Sequence, residues 1–262
     1  MRKINSNAFQ FIIVFALVIG CFYTKNILAD DLTTYESAKA SYFNGEYDQT
    51  EGLLLALLQR SSENGYLLFD LGNVYYKKGH LGQALQYYEK AKTQLPRYQD
   101  LSYNLAVAQK QLGLSGQGTL FRNEIVSKLF FWIDTVSLTE LGLVKLFLSC
   151  IFWLFLLFKF FRKIRLFDTK TVILGLLLLY ITVGAYFLEI QRLPGAFGVV
   201  LVAKTQVQSN YLGRDKPLFE INEGTKVRII DRHEFSSSEI WLHVALPQGQ
   251  HGWVLADKIG II

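Results

Sequence analysis

The chain has 262 residues, of which 51% are hydrophobic, including 20 Phe, 14 Tyr and 4 Trp, with a formal net charge of +5. That composition leaves room for two or three small domains and is too apolar for an ordinary soluble chain. The positive charge clusters at residues 2–25 and 159–170 and forms no patch to neutralise phosphates, which excludes nucleic-acid binding.

Arg2 and Lys3 precede an apolar run from Ala8 to Tyr23, and Thr24-Lys25-Asn26 then leads to Ile27-Leu28-Ala29. This is the order of a secretory signal over residues 1–29, with cleavage expected after Ala29. Two alternatives stay open: an uncleaved anchor, or a lipidated Cys21 within Val18-Ile19-Gly20-Cys21. Each puts residue 31 outside the cytoplasm. Cys21 and Cys150 both lie in apolar segments and have neither disulfide nor metal-ligand spacing.

Residues 31–113 carry a helical repeat. Leu71-Gly72, Tyr75, Gly79, Ala84, Tyr88, Ala91 and Pro96 fall at the spacing of a tetratricopeptide unit. Gly72 and Ala84 let two helices approach, Tyr75 and Tyr88 fill the space between them, and Gly79 and Pro96 end them. A step of 34 residues back gives a weaker copy with Ala38 and Gly45, in which Thr50 and Ser62 depart from the pattern. A step forward gives Leu105, Ala106 and Gly113, after which Gly116 and Gly118 break the copy before a second helix. So short a stack is expected to lean on the membrane or on a partner. Repeat stacks bind along the face made by their first helices. Here that face presents Tyr35, Lys39, Tyr42, Phe69, Asn73, Tyr76, Lys77 and Tyr103, several of which also suit packing. Asn73 and Lys77, one turn apart, are the expected contacts for an extended peptide of a partner.

Residues 114–137 read as a linker with an amphipathic stretch at 120–133. Ser137 and Glu140 fit a capping box opening an apolar helix over 138–161, and a second apolar helix covers 171–190. LFLSCIFWLFLLF is apolar on every side, which suits lipid better than a soluble core. The loop 162–170 and its flank carry Lys159, Arg162, Lys163, Arg165 and Lys170 against Asp168 alone. These are the expected topogenic residues, holding the loop in the cytoplasm and both soluble parts outside.

From residue 197 to 262 the texture is β-rich and the charge is neutral, with short β-branched runs separated by Asp215-Lys-Pro217, Asn222-Glu-Gly224 and Pro247-Gln-Gly249. Five short strands are expected, closing a small barrel. The opening VVLVAKTQV, the segment Phe219 to Ile229, Trp241-Leu-His-Val and Gly252-Trp253-Val254 resemble the bacterial SH3-like domain. Tyr211, Phe219, Trp241 and Trp253 are its candidate surface, with Trp253 read first as a packing residue.

No HExxH, no serine nucleophile elbow and no phosphate-cradling glycine loop occurs, and His80, His233, His243 and His251 lack a motif. The expectation is a non-enzyme without catalytic residues, cofactor or metal. Its fold class is a multidomain membrane protein with helical tetratricopeptide repeats, a two-helix transmembrane hairpin and a C-terminal all-β SH3-like barrel. That order of parts resembles the BatE type of the Bacteroides aerotolerance (Bat) proteins. The resemblance implies an inner-membrane protein with both soluble domains in the periplasm. It also implies membrane partners carrying von Willebrand type A domains and a role in stress or oxygen tolerance. A second expectation is a cell-envelope sensor that binds peptidoglycan peptides through the SH3-like domain.

Overall fold

The computed structural model describes residues 29–61, 64–114, 136–161, 169–191, 197–211, 216–236 and 239–262. The signal segment before Ala29 and the linker from 115 to 135 lie outside the described residues.

Five helices build the repeat region: α1 (Ala29–Phe43), α2 (Tyr47–Arg60), α3 (Gly65–Lys77), α4 (Leu81–Gln94) and α5 (Gln99–Gln111). Their punctuation follows the sequence period. Gly45, Gly79 and Gly113 take φ of +80°, +81° and +70°, the left-handed geometry that ends a helix at little cost only in glycine. Asn64 opens α3, its side chain accepting from the Tyr66 and Leu67 amides. The close approach of α3 and α4 is also as expected. A methyl group on Gly72 would sit 2.4 Å from the Tyr88 ring, and Ala84 and Ala91 are fully buried. The departure at Thr50 is absorbed locally. Thr50 is buried, and its hydroxyl donates to the Glu46 carbonyl one turn back at 2.9 Å.

Two long helices follow, α6 (Leu138–Phe161, 24 residues) and α7 (Thr169–Gln191, 23 residues), packed side by side. The capping box forms as its spacing predicts: the Glu140 amide donates to Ser137 Oγ at 3.2 Å, and the Ser137 amide donates to Glu140 Oε2 at 3.0 Å. Arg97, in the turn between α4 and α5, pairs with Glu140 and ties the repeats to the start of α6. Among the described residues no helix is long and apolar enough to cross a membrane. Leu143, Phe147, Trp153 and Leu154 on α6, and Ile173, Leu176 and Leu179 on α7, are exposed. Lys159 lies in α6 and Lys170 in α7, while Arg162, Lys163 and Arg165 lie outside the described residues.

The tail holds seven described strands where five were expected: β1 (Phe197–Val200), β2 (Lys204–Val207), β3 (Phe219–Asn222), β4 (Lys226–Ser236), β5 (Glu239–Ala245), β6 (His251–Leu255) and β7 (Ile259–Ile261). The opening run splits at residues 201–203 into β1 and β2, and the last run splits around a short helical turn, Ala256–Lys258. One antiparallel sheet has the order β6-β5-β4-β1-β7, and β2 pairs with β3 in a second. A bridge between Gln208 and Trp253 joins them. Val207, Ile221, Val227, Leu242, Val244 and Val254 form the core between the sheets, as alternating strands require.

The β domain does not hang free. It docks on α4, and period-2 geometry explains how. In β1, Val200 belongs to the β core while Val199 belongs to the helical core, so this strand is buried on both faces. On α4, Ala84, Tyr88 and Ala91 face α3, while Gly82, Gln86 and Glu89 recur at helical spacing on a second side and meet the tail. The Gly82 amide donates to Glu223 Oε1 at 2.7 Å, and Gln86 Nε2 donates to the Ile261 carbonyl at 2.9 Å. Lys226 Nζ meets Glu89 Oε2 at 2.8 Å. Gly224, at the β3–β4 turn, lies against Leu85, Leu112 and Leu114. The tail therefore covers α4 beside the unfinished third repeat. The stack leans on its own C-terminal domain.

Candidate functional site

The first helices of the repeats, α1, α3 and α5, are joined by a line of side-chain bonds. Tyr35 donates from its hydroxyl to Asp70 Oδ2 at 2.9 Å, linking α1 to α3. Asn73, one turn beyond Asp70, accepts at Oδ1 from Asn104 Nδ2 at 2.8 Å, linking α3 to α5. The same oxygen accepts from the Tyr88 hydroxyl at 2.8 Å. Asn73 Oδ1 thus has both lone pairs occupied, which fixes its amide plane. Asn73 Nδ2, a donor, and Asn104 Oδ1, an acceptor, stand outside these bonds.

The other expected contacts divide into packing and surface. Phe69 is buried, its ring 5.2 Å from that of Tyr98 and 5.9 Å from that of Tyr88. Tyr42 and Tyr76 are half-buried against the helical core. Tyr42 also meets the Phe43 and Tyr47 rings edge-on at 6.0 and 5.6 Å. Lys39 is exposed, pairs with Glu36 at 3.3 Å and lies 5.9 Å from the centre of the Tyr35 ring. Lys77 is exposed, and so is Tyr103, at 70%. The accessible part of the face is therefore Lys39, Lys77 and Tyr103, set around the fixed pair Asn73 and Asn104.

Sequence reasoning missed Asp70 and Asn104. They stand 34 residues apart, at equivalent places in successive repeats, and that period was the signal that exposes them. Burial pushes the Asp70 carboxyl up, against the Tyr35 hydrogen bond and the Lys39 charge. Burial first, and then the Asp70 charge, push the Tyr35 hydroxyl up, so it stays a donor.

In the β domain the four expected aromatics separate. Tyr211 and Trp253 meet edge-on at 5.3 Å. Trp241 is buried, its indole nitrogen donating to Glu239 Oε1 at 3.0 Å. Phe219 lies in the β2–β3 sheet, against the β core. Histidines replace them on the outer face. His233 stacks on Tyr211 at 3.9 Å, and His243 stacks on Trp253 at 4.9 Å. His243 Nε2 lies 3.3 Å from His251 Nδ1. Among the described residues no group of three or more His, Cys, Asp or Glu is placed to hold a metal ion.

A scan against family models gives no match to this chain, and a search of curated proteins gives none either.

Proposed function

We infer that the chain is a membrane-held interaction scaffold, facing the periplasm, whose repeat face takes an extended segment of a partner protein. The line Tyr35–Asp70 and Asn73–Asn104 across three helices carries this reading. Asn73 Nδ2 can donate and Asn104 Oδ1 can accept, the two functions that the carbonyl and amide of a peptide group would meet. Lys77 and Tyr103 flank that pair and supply charge and apolar area. The opposite side of the repeats is covered by the β domain, which leaves the first-helix face open.

The anchor is the pair α6 and α7. Their exposed Leu, Phe, Ile and Trp side chains suit lipid. A membrane hairpin would return the chain to the side it left, and the contacts between α4 and the tail support that arrangement. An enzyme is not implied. The order of parts resembles the BatE type of Bat protein, so membrane proteins with von Willebrand type A domains are the partners to seek.

The test is recovery of partners from gently solubilised, crosslinked membranes with the Lys77→Glu/Tyr103→Ala variant. Both side chains are exposed, so the fold is retained while partner recovery falls at least tenfold. Undiminished recovery would place the partner elsewhere. The stacked Tyr211, Trp253 and histidine rings favour the envelope-sensor reading, in which peptidoglycan fragments bind the tail. Cosedimentation with purified cell wall that is lost in Tyr211→Ala, with partner recovery unaffected, would support it.

A further inference from the structure

Three of the four histidines gather on the outer face of the β domain, away from the first-helix face of the repeats. Strand pairing places two of them together. In the β5–β6 hairpin, His243 pairs with Trp253 and Ala245 pairs with His251. His243 and His251 are therefore diagonal neighbours on one face, within reach of each other. Their facing nitrogens, Nε2 and Nδ1, are 3.3 Å apart.

That separation has a chemical meaning. Zinc binds imidazole nitrogen at about 2.0–2.1 Å, so two nitrogens on a tetrahedral ion stand roughly 3.3–3.4 Å apart. Without an ion the two rings hold that spacing by an N–H···N hydrogen bond, whose proton a bound ion would displace to solvent. His243 is backed by Trp253, stacked at an interplanar angle of 17°, which limits its rotation. Asp231 pairs with His243 across β4 and β5, placing a carboxylate beside the ring. His251 is exposed, so an ion has access. The pair lies at the β6 edge of the sheet, while β1 and β7, which carry the docking contacts, lie at the other.

We propose that His243 and His251 form a binding site for a zinc-class divalent metal ion on the outer face of the β domain. Two protein nitrogens leave two positions of a tetrahedral ion for water or for a donor from a bound partner. The site stands independently of the groove reading.

The experiment titrates Zn²⁺ into the untagged full chain in detergent by calorimetry, with Co²⁺ absorption as a second readout of coordination. One saturable site is expected. His251→Ala, a change at an exposed side chain, weakens it at least tenfold, and so does His243→Ala. His233→Ala, on the same face but outside the pair, leaves it unchanged. Absence of saturable uptake in the unmodified chain would overturn the proposal. So would uptake that survives in His251→Ala, or that falls equally in His233→Ala.

Discussion

A methyl group added at Gly82 would lie 2.8 Å from the Val200 carbonyl oxygen and 2.9 Å from Leu201 Cα, both backbone atoms that cannot swing aside. Gly82→Ala should therefore separate the tail from α4 and cost about 1–3 kcal/mol. Denaturant unfolding measures the loss, and faster proteolysis between the domains locates it. Gly72→Ala meets the Tyr88 ring instead, so its cost falls inside the repeat core. At Glu89 burial raises the carboxyl pKa, but the Lys226 charge and hydrogen bond outweigh it, with help from Lys92, and the net shift is downward. A carboxylate held below its ordinary value of about 4.3 adds stability above that pH and loses it as pH falls through the lowered value. Unfolding followed from pH 7 down to about pH 3 should thus show a loss of stability below ~4.3 that Glu89→Gln lacks. At pH 7 the same variant should be less stable by about 1.5–3 kcal/mol, the range for a hydrogen bond to a charged group. An acid limb identical in both proteins would place the titration elsewhere.

Among the elements, α4 decides the architecture, because it has two buried sides. The side of Ala84, Tyr88 and Ala91 was legible in the sequence, since apolar residues at repeat spacing identify a helix-to-helix face. The side of Gly82, Gln86 and Glu89 was not. Gln and Glu read as a solvated surface, and only a fold that brings Lys226 and the Ile261 carbonyl to them makes them an interface. β1 hid the same relation. FGVV reads as one apolar run, and nothing local says that Val199 and Val200 enter different cores. The candidate groove was legible in part. Helical spacing found Asn73 and Lys77, but long-range pairing decided that Phe69 packs and that Asn73 is clamped by Tyr88 and Asn104. Substitution of Asn73 by Ala therefore removes a partner from two buried-side donors and should destabilise the repeats by about 1–3 kcal/mol. Lys77→Glu should leave thermal unfolding within about 0.5 kcal/mol of the parent. Removal of residues 197–262 uncovers Gly82, Leu85, Gln86 and Glu89 on α4, so amide exchange in that helix should quicken most.

In the whole molecule, repeats, hairpin and β domain form one connected body. Arg97 with Glu140 joins repeats to α6, and Lys226 with Glu89 joins them to the tail. The tail covers one side of the short repeat stack and leaves the first-helix face uncovered, the face that the proposed scaffold reading gives to a partner. The most direct measurement places a photocrosslinking residue at Tyr103 on the open face, or at Gln86 on the covered face, in intact cells. The account predicts heavier adducts with another protein from position 103, and only intrachain crosslinks to the tail from position 86. Adducts with other proteins from position 86, and none from position 103, would contradict it.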